Sequence, residues 1–350
     1  MSELVLDRLA KIADESTVGS SFSWASVHDI LLRFEGETNL QHEDVVMACG
    51  EAMVFAYSPY HYGPMYMSLD GSPKRLRGLF GYFTDWIRGP TIGGDLEEAW
   101  GFIKKHLNEG HGIHVEGPES FLIFGYKDSG AKKDRVIRCI ARWGPGLDGD
   151  ITWEQFSKYP ALFSFSSIKK SVTPKSNDEK LKMIIKTMVE WQSVHPGFNR
   201  QLIVHPEVKF EDMKGKAFVT GPENFGLKGL ESFIRDIQDE KMLRGMMQAY
   251  LDCHAITFHI WGRQWQSKWF KNQSRLAKGE LAILLNEAGD AYLEVAEKLE
   301  EFRESNIKEG DFQEKIKLAV PPLKGAYDHE KKAIGTLKKI SKILGLIIEK

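Results

Sequence analysis

Leu4, Leu6, Leu9 and Ile12 fall near a helical period, which predicts a short amphipathic helix within residues 1–19. Ser20 and Ser21 offer N-cap oxygens for a second helix over about 22–34. Val27, Ile30, Leu31 and Phe34 form its apolar stripe, and Gly36 ends it. A short helix is expected over about 43–47, after which Cys49-Gly50 turns the chain into the apolar stretch Met53 to Tyr57. Residues 58–94 are dense in Gly, Pro and aromatic side chains. They read as a structured loop region, because Phe80, Tyr82, Phe83 and Trp86 need something to pack on. Asp95 and Glu98 have capping-box spacing for a helix over 95–108.

Three short apolar runs bounded by turn residues predict strands: Ile113 to Glu116, Phe121 to Tyr126 and Val136 to Ala141. Thr152 caps a brief helix from Trp153 to Lys158, and Ala161 to Ile168 reads as a closing strand. The polar, punctuated stretch 171–178 marks the main domain boundary. Beyond it the pattern is helical. Helices are expected over Leu181 to Val194, Phe225 to Ile237 and much of 242–270. A long one runs from Leu281 to Phe302, with Leu284, Leu285, Ala288, Tyr292, Val295 and Leu299 on one side. Pro321-Pro322 is expected to break the chain before a last helix over about 326–347. The pattern gives an α+β chain: a first domain over residues 1–170 with helices on a sheet, and a helical domain over residues 175–350.

Composition narrows the partners. The 47 basic and 49 acidic residues leave a net charge of −2, which gives no electrostatic reason to expect nucleic acid. Lys338, Lys339 and Lys342 cluster locally, and the solvated face of a terminal helix explains them. No apolar run approaches the roughly 18 residues that span a bilayer, so no membrane partner is expected. The start, Met1-Ser2-Glu3-Leu4, lacks the basic and apolar blocks of a signal peptide. Cys49, Cys139 and Cys253 are far apart and odd in number, which suits a reducing cytoplasm and implies no disulfide framework or CxxC zinc site.

Four stretches of the first half, and one of the second, carry a family resemblance. Phe22-Ser23-Trp24-Ala25 leads through a helix to Gly36 and then Leu40-Gln41-His42-Glu43. Gly50 to Phe55 leads to Tyr57, and Asp95 to Trp100 leads to Gly110. Phe121-Leu122-Ile123-Phe124-Gly125-Tyr126 is followed by Asp128. In the second half, Phe225-Gly226-Leu227-Lys228-Gly229-Leu230 opens a helix. Together these resemble the butirosin biosynthesis protein H family over nearly the whole chain. The resemblance implies a papain-like, cysteine-peptidase-type first domain built on an antiparallel sheet, followed by an all-α helical domain. It further implies a cysteine that takes an acyl group from a carrier-protein thioester and passes it to an amine, with a histidine shuttling the proton.

Measured against that pattern, the catalytic pair is replaced. The nucleophile position holds Ser23, and the histidine position holds Glu119. The aspartate position falls near Arg142 and Trp143. A helix dipole lowers a pKa by at most about 1.5 units, which does not ionise a serine hydroxyl without a base. Ser23 is better explained as a helix cap, and Glu119 as part of a Gly-Pro-Glu-Ser turn. Cys49, in Ala-Cys-Gly-Glu-Ala, is the alternative nucleophile, with His111 and His114 as candidate partners, although free cysteines are usually buried small hydrophobes. Cys253, His254, His259, Trp261, Trp265 and Trp269 suggest a metal or haem pocket. The five-residue histidine spacing does not suit one helix face, and a packing stripe explains them better, so neither metal nor cofactor is expected.

The expectation is a degenerate, non-catalytic relative of the family. Its old cleft, between the Ser23 helix and the strands near 113–126, would survive as a pocket lined by Trp24, Tyr57, Tyr60 and Tyr62. That pocket would bind a small molecule, an acyl group or an acyl-carrier partner. The alternatives are an active acyltransferase or amide hydrolase using Cys49 or Ser23, and an oligomeric scaffold that pairs through its tryptophan-rich helices.

Overall fold

The computed structural model describes residues 2–15, 23–37, 39–50, 55–57, 78–117, 120–141, 148–159, 162–170, 173, 175–192, 224–240, 254–305 and 311–348. The chain divides into two compact units with interleaved segments. The first holds residues 1–45, 71–174 and 206–213; the second holds 46–70, 175–205 and 214–350. The main crossing at Pro174 and Lys175 lies in the polar stretch the sequence marks as a boundary.

The first unit is a seven-stranded antiparallel sheet with helices. Its elements are β1 (Ser2–Val5), α1 (Asp7–Glu15), α2 (Ser23–Phe34) and the start of α3 (His42–Cys49). After β2 (Ala56–Tyr57), which belongs to the second unit, come β3 (Tyr82–Arg88), α4 (Leu96–Asn108), β4 (Ile113–Glu116), β5 (Phe121–Asp128), β6 (Val136–Ile140), β7 (Gly149–Thr152), α5 (Trp153–Ser157) and β8 (Ser164–Lys170). The strand order is β3-β8-β4-β5-β6-β7. β1 pairs the second half of β5, from Val5 against Gly125 to Ser2 against Asp128. Gly125 sits where β5 changes register against β6, and a Cβ there would press on the Leu4 carbonyl at 2.8 Å, so the close approach of β1 needs glycine.

Side-chain alternation gives the sheet two different faces. Ile113 and Val115 of β4 join Ala99, Trp100 and Ile103 of α4 and Phe156 of α5 in one core. His114, between them, turns to the opposite face and meets Trp24 of α2. On that second face a Cβ at Gly112 would fall into the Leu9 and Leu31 side chains, which fixes how closely α1 and α2 lie on the sheet. α2 is buried continuously from Trp24 to Leu32, the pattern of a helix covered all round. Local capping agrees with the sequence. Asp95 accepts the amides of Glu97 and Glu98, which is the N-cap half of the expected box, and Thr152 with Gln155 closes a full capping box.

The second unit contains α6 (Asn177–Trp191), α7 (Gly226–Asp236), α8 (His254–Leu276), α9 (Gly279–Glu304) and α10 (Phe312–Ile343). It is not wholly helical, because β2 pairs antiparallel with β9 (Asn224–Phe225). Phe55, Tyr57, Phe233, Ile260, Leu299, Phe302 and Leu323 share its core.

Four expectations are corrected. Residues 1–19 do not begin as a helix: Ser2–Val5 is a strand, because β5 offers it a free edge, and α1 starts only at Asp7. The 58–94 region contains β3, a full strand against β8. The second domain, expected as all-α, carries the β2–β9 ladder. Pro321-Pro322 does not interrupt the last helix; both lie inside α10, held by the burial of Ala319, Val320, Leu323 and Ala326 on either side. No described helix is long and apolar enough to cross a membrane.

Candidate functional site

α2 begins at Ser23, and Trp24 and His28 follow one turn apart on the same side. The Trp24 and His28 rings stack at 3.6 Å, with 14° between their planes. His28 Nδ1 lies 2.9 Å from the Trp24 carbonyl oxygen, so that nitrogen carries the proton and donates it. The other nitrogen, Nε2, is then a bare acceptor. It is buried and has no hydrogen-bond partner among the described residues.

β4 delivers the second imidazole. Its register places His114 opposite Ser166 of β8 and Leu122 of β5. His114 Nδ1 is 3.1 Å from Ser166 Oγ, and Nε2 is 3.0 Å from Ser120 Oγ. The His114 ring meets His28 at 4.5 Å and Trp24 at 5.3 Å, edge-on in both cases. The Ser120 amide in turn donates to Ser23 Oγ at 3.1 Å. Two residues beyond His114 on the same face, Glu116 accepts from Ser164 Oγ at 2.8 Å. The result is a constellation of two imidazoles, an indole, a carboxylate and four serine hydroxyls, all within the first unit and buried except for the half-buried Ser23 and Glu116.

Electrostatics set the protonation of His28. Burial pushes its pKa down to about 4, against smaller upward pulls from the Trp24 carbonyl and the Glu116 charge. At neutral pH His28 is therefore an uncharged imidazole with one unused lone pair. Ser120–His114–Ser166 has the connectivity of a nucleophile, a base and an orienting group. The orienting member is a neutral hydroxyl, however, where a hydrolytic triad has a carboxylate that stabilises the imidazolium.

Several residues singled out from sequence lie elsewhere. Glu119, Tyr60, Tyr62, Cys253, Arg142 and Trp143 fall outside the described residues, as do the side chains of Cys49 and His254. Ser23 and Trp24 are brought together with His114, whereas Tyr57 belongs to the other unit. There it is fully buried beside Phe233, and its hydroxyl donates to Asp236 at 3.0 Å. His111 pairs with Glu35 at 2.9 Å. Cys139 of β6 is fully buried, and burial first, then Asp148 and Asp150, pushes its thiol up to about 12, far from a thiolate at neutral pH. His259 stacks on Phe55 at 4.0 Å inside the helical core. Among the described residues no three His, Cys, Asp or Glu side chains gather closely enough to hold a metal ion.

His28, Ser120, Ser166 and Glu116 were not singled out from sequence. Two signals point to part of this set: the Trp-x-x-x-His spacing of α2 for His28, and the Ser-Phe-Ser alternation of β8, which turns Ser164 and Ser166 toward one face; no local pattern marks Ser120 or Glu116. No family model and no curated protein matches the chain.

Proposed function

We propose that the first unit is a degenerate papain-like domain, related to the butirosin H-like acyltransferases, that binds a small acyl-bearing molecule without transferring its acyl group. One observation carries this reading. The hydroxyl at the expected nucleophile position, Ser23, accepts the Ser120 amide, while His114 has a serine hydroxyl at each ring nitrogen. A transferring nucleophile must pass its proton to an imidazole within hydrogen-bond reach. Ser23 has no such bond among the described residues. The stacked Trp24–His28 pair and the unused Nε2 lone pair supply what a binding site needs, an apolar wall and a polar anchor.

The test uses an N-acetylcysteamine thioester of a short acyl chain. The expected result is a saturable rise in Tm that is lost in Trp24→Ala, with no free thiol released. Thiol release that disappears in Ser23→Ala or Cys49→Ala would overturn the reading, and so would a Tm unchanged by the thioester. A second reading, an acyl transferase or amide hydrolase, is favoured by the 3.0 Å from Ser120 Oγ to His114 Nε2. It requires a fluorophosphonate adduct on Ser120, detected by peptide mass mapping.

A further inference from the structure

α8, α9 and α10 run antiparallel in sequence. Their register is fixed by Lys271–Asp290 at 2.9 Å between α8 and α9, and by His329–Glu294 at 2.6 Å between α9 and α10. Counting away from each pair in opposite directions brings the end of α8, the start of α9 and the end of α10 to one tip of the three helices. That tip carries large aliphatic side chains in water: Leu276 is 66% exposed, Ile283 61%, Ile343 44% and Ile347 82%. Single exposed apolar residues are ordinary, but four of the five large hydrophobics exposed among the described residues share this end. Arg275, Lys278, Lys338, Lys339 and Lys342 are exposed at the same end, against Glu280 and, farther along α9, Glu287.

We infer that this tip docks the protein peripherally on an anionic lipid surface, with the aliphatic side chains entering the headgroup boundary and the five cations meeting lipid phosphates and carboxylates. The chemistry fits on both counts. Aliphatic burial and attraction to anionic lipid together hold a peripheral protein at a bilayer. The alternative occupant, a second copy of this chain, is disfavoured by charge: a two-fold contact at the tip would set cations against cations. The exposed large apolar side chains at the tip are all aliphatic, and a fluid lipid surface accommodates them without a matching socket.

The experiment is co-sedimentation of the full chain with vesicles of phosphatidylcholine alone and of equal parts phosphatidylcholine and phosphatidylserine. The expected result is binding to the mixed vesicles only, weakening as salt rises. Ile283→Ser with Ile347→Ser weakens it by roughly tenfold or more. Lys338→Glu with Lys342→Glu does the same. Both pairs replace exposed side chains, and circular dichroism of each variant should match the parent. No sedimentation with either vesicle overturns the inference, as does equal binding to both. Charge-dependent binding that survives the Ile→Ser pair and extends to polyglutamate points to an acidic protein and also overturns it. So does a concentration-dependent dimer that the Ile→Ser pair abolishes.

Discussion

His28 shows how burial decides chemistry at a single side chain. Its stacking on Trp24, its bond to a backbone carbonyl and the nearby Glu116 charge would all tolerate a cation, yet desolvation outweighs them and holds the pKa near 4. The sign of the pH effect follows. The unfolded chain takes up this proton as pH falls through about 6.5, and the folded chain does so only near 4. The stability His28 contributes is complete above the unfolded value and is lost as pH falls through that window. Urea unfolding at pH 7 and at pH 4.5 should show a loss of about 2–3 kcal/mol from this group. In His28→Phe, which keeps a ring against Trp24, that part of the pH dependence should vanish; an unchanged slope would assign it elsewhere. The residue was hard to find from sequence because the Trp-x-x-x-His spacing alone also suits plain helix packing and names no partner for the imidazole. Its role comes from His114, which β4 brings to it from a distant part of the chain.

Among elements, those with a strong local pattern were legible, from the long periodic helices to short apolar runs such as β4, and those without one were not. α4, α6, α7 and α9 follow their apolar spacing closely, because each carries enough period to declare itself. β1, β3 and β7 were missed. β1 and β7 have only four residues each and no apolar run, and β1 exists because part of β5 is otherwise an open edge; β3 has seven, but its Tyr-Phe-Thr-Asp-Trp-Ile-Arg run does not alternate between apolar and polar positions. α10 was missed in the opposite sense. Two prolines read as a stop, but tertiary burial carries the helix through them, leaving the Lys317 and Leu318 carbonyls without their usual amide donors. Pro321 is exposed, so replacing it removes no packing. Pro321→Ala should raise stability by about 2 kcal/mol: a helix-interior proline costs about 3, and about 1 of that is offset by the stiffer unfolded chain. A thermal melt that is unchanged or lower would mean that α10 is shaped to accept the ring.

For the molecule as a whole, hydrophobic burial specifies both units, and the polar exceptions mark where each was built for something besides bulk. In the helical unit the exception is Arg263, fully buried and bonded through two nitrogens at 2.8 Å to Glu330, itself buried. Such a pair is worth little against a well-packed apolar core, but half of one is expensive. Arg263→Met alone should cost about 3–5 kcal/mol in urea unfolding, whereas Arg263→Met with Glu330→Leu should come within about 1–2 kcal/mol of the parent or exceed it. Equal costs for the single and double variants would show that the guanidinium contributes by shape instead of charge. The interleaving of the two units has a consequence during synthesis. Tyr57 reaches its partner Asp236 only after 179 further residues have been translated. At about 5–20 residues per second, Phe55 and Tyr57 leave the ribosome some ten to thirty-five seconds before α7 emerges to cover them. The early part of the nascent polypeptide thus passes through an interval in which these aromatic side chains lie uncovered and open to non-native contacts.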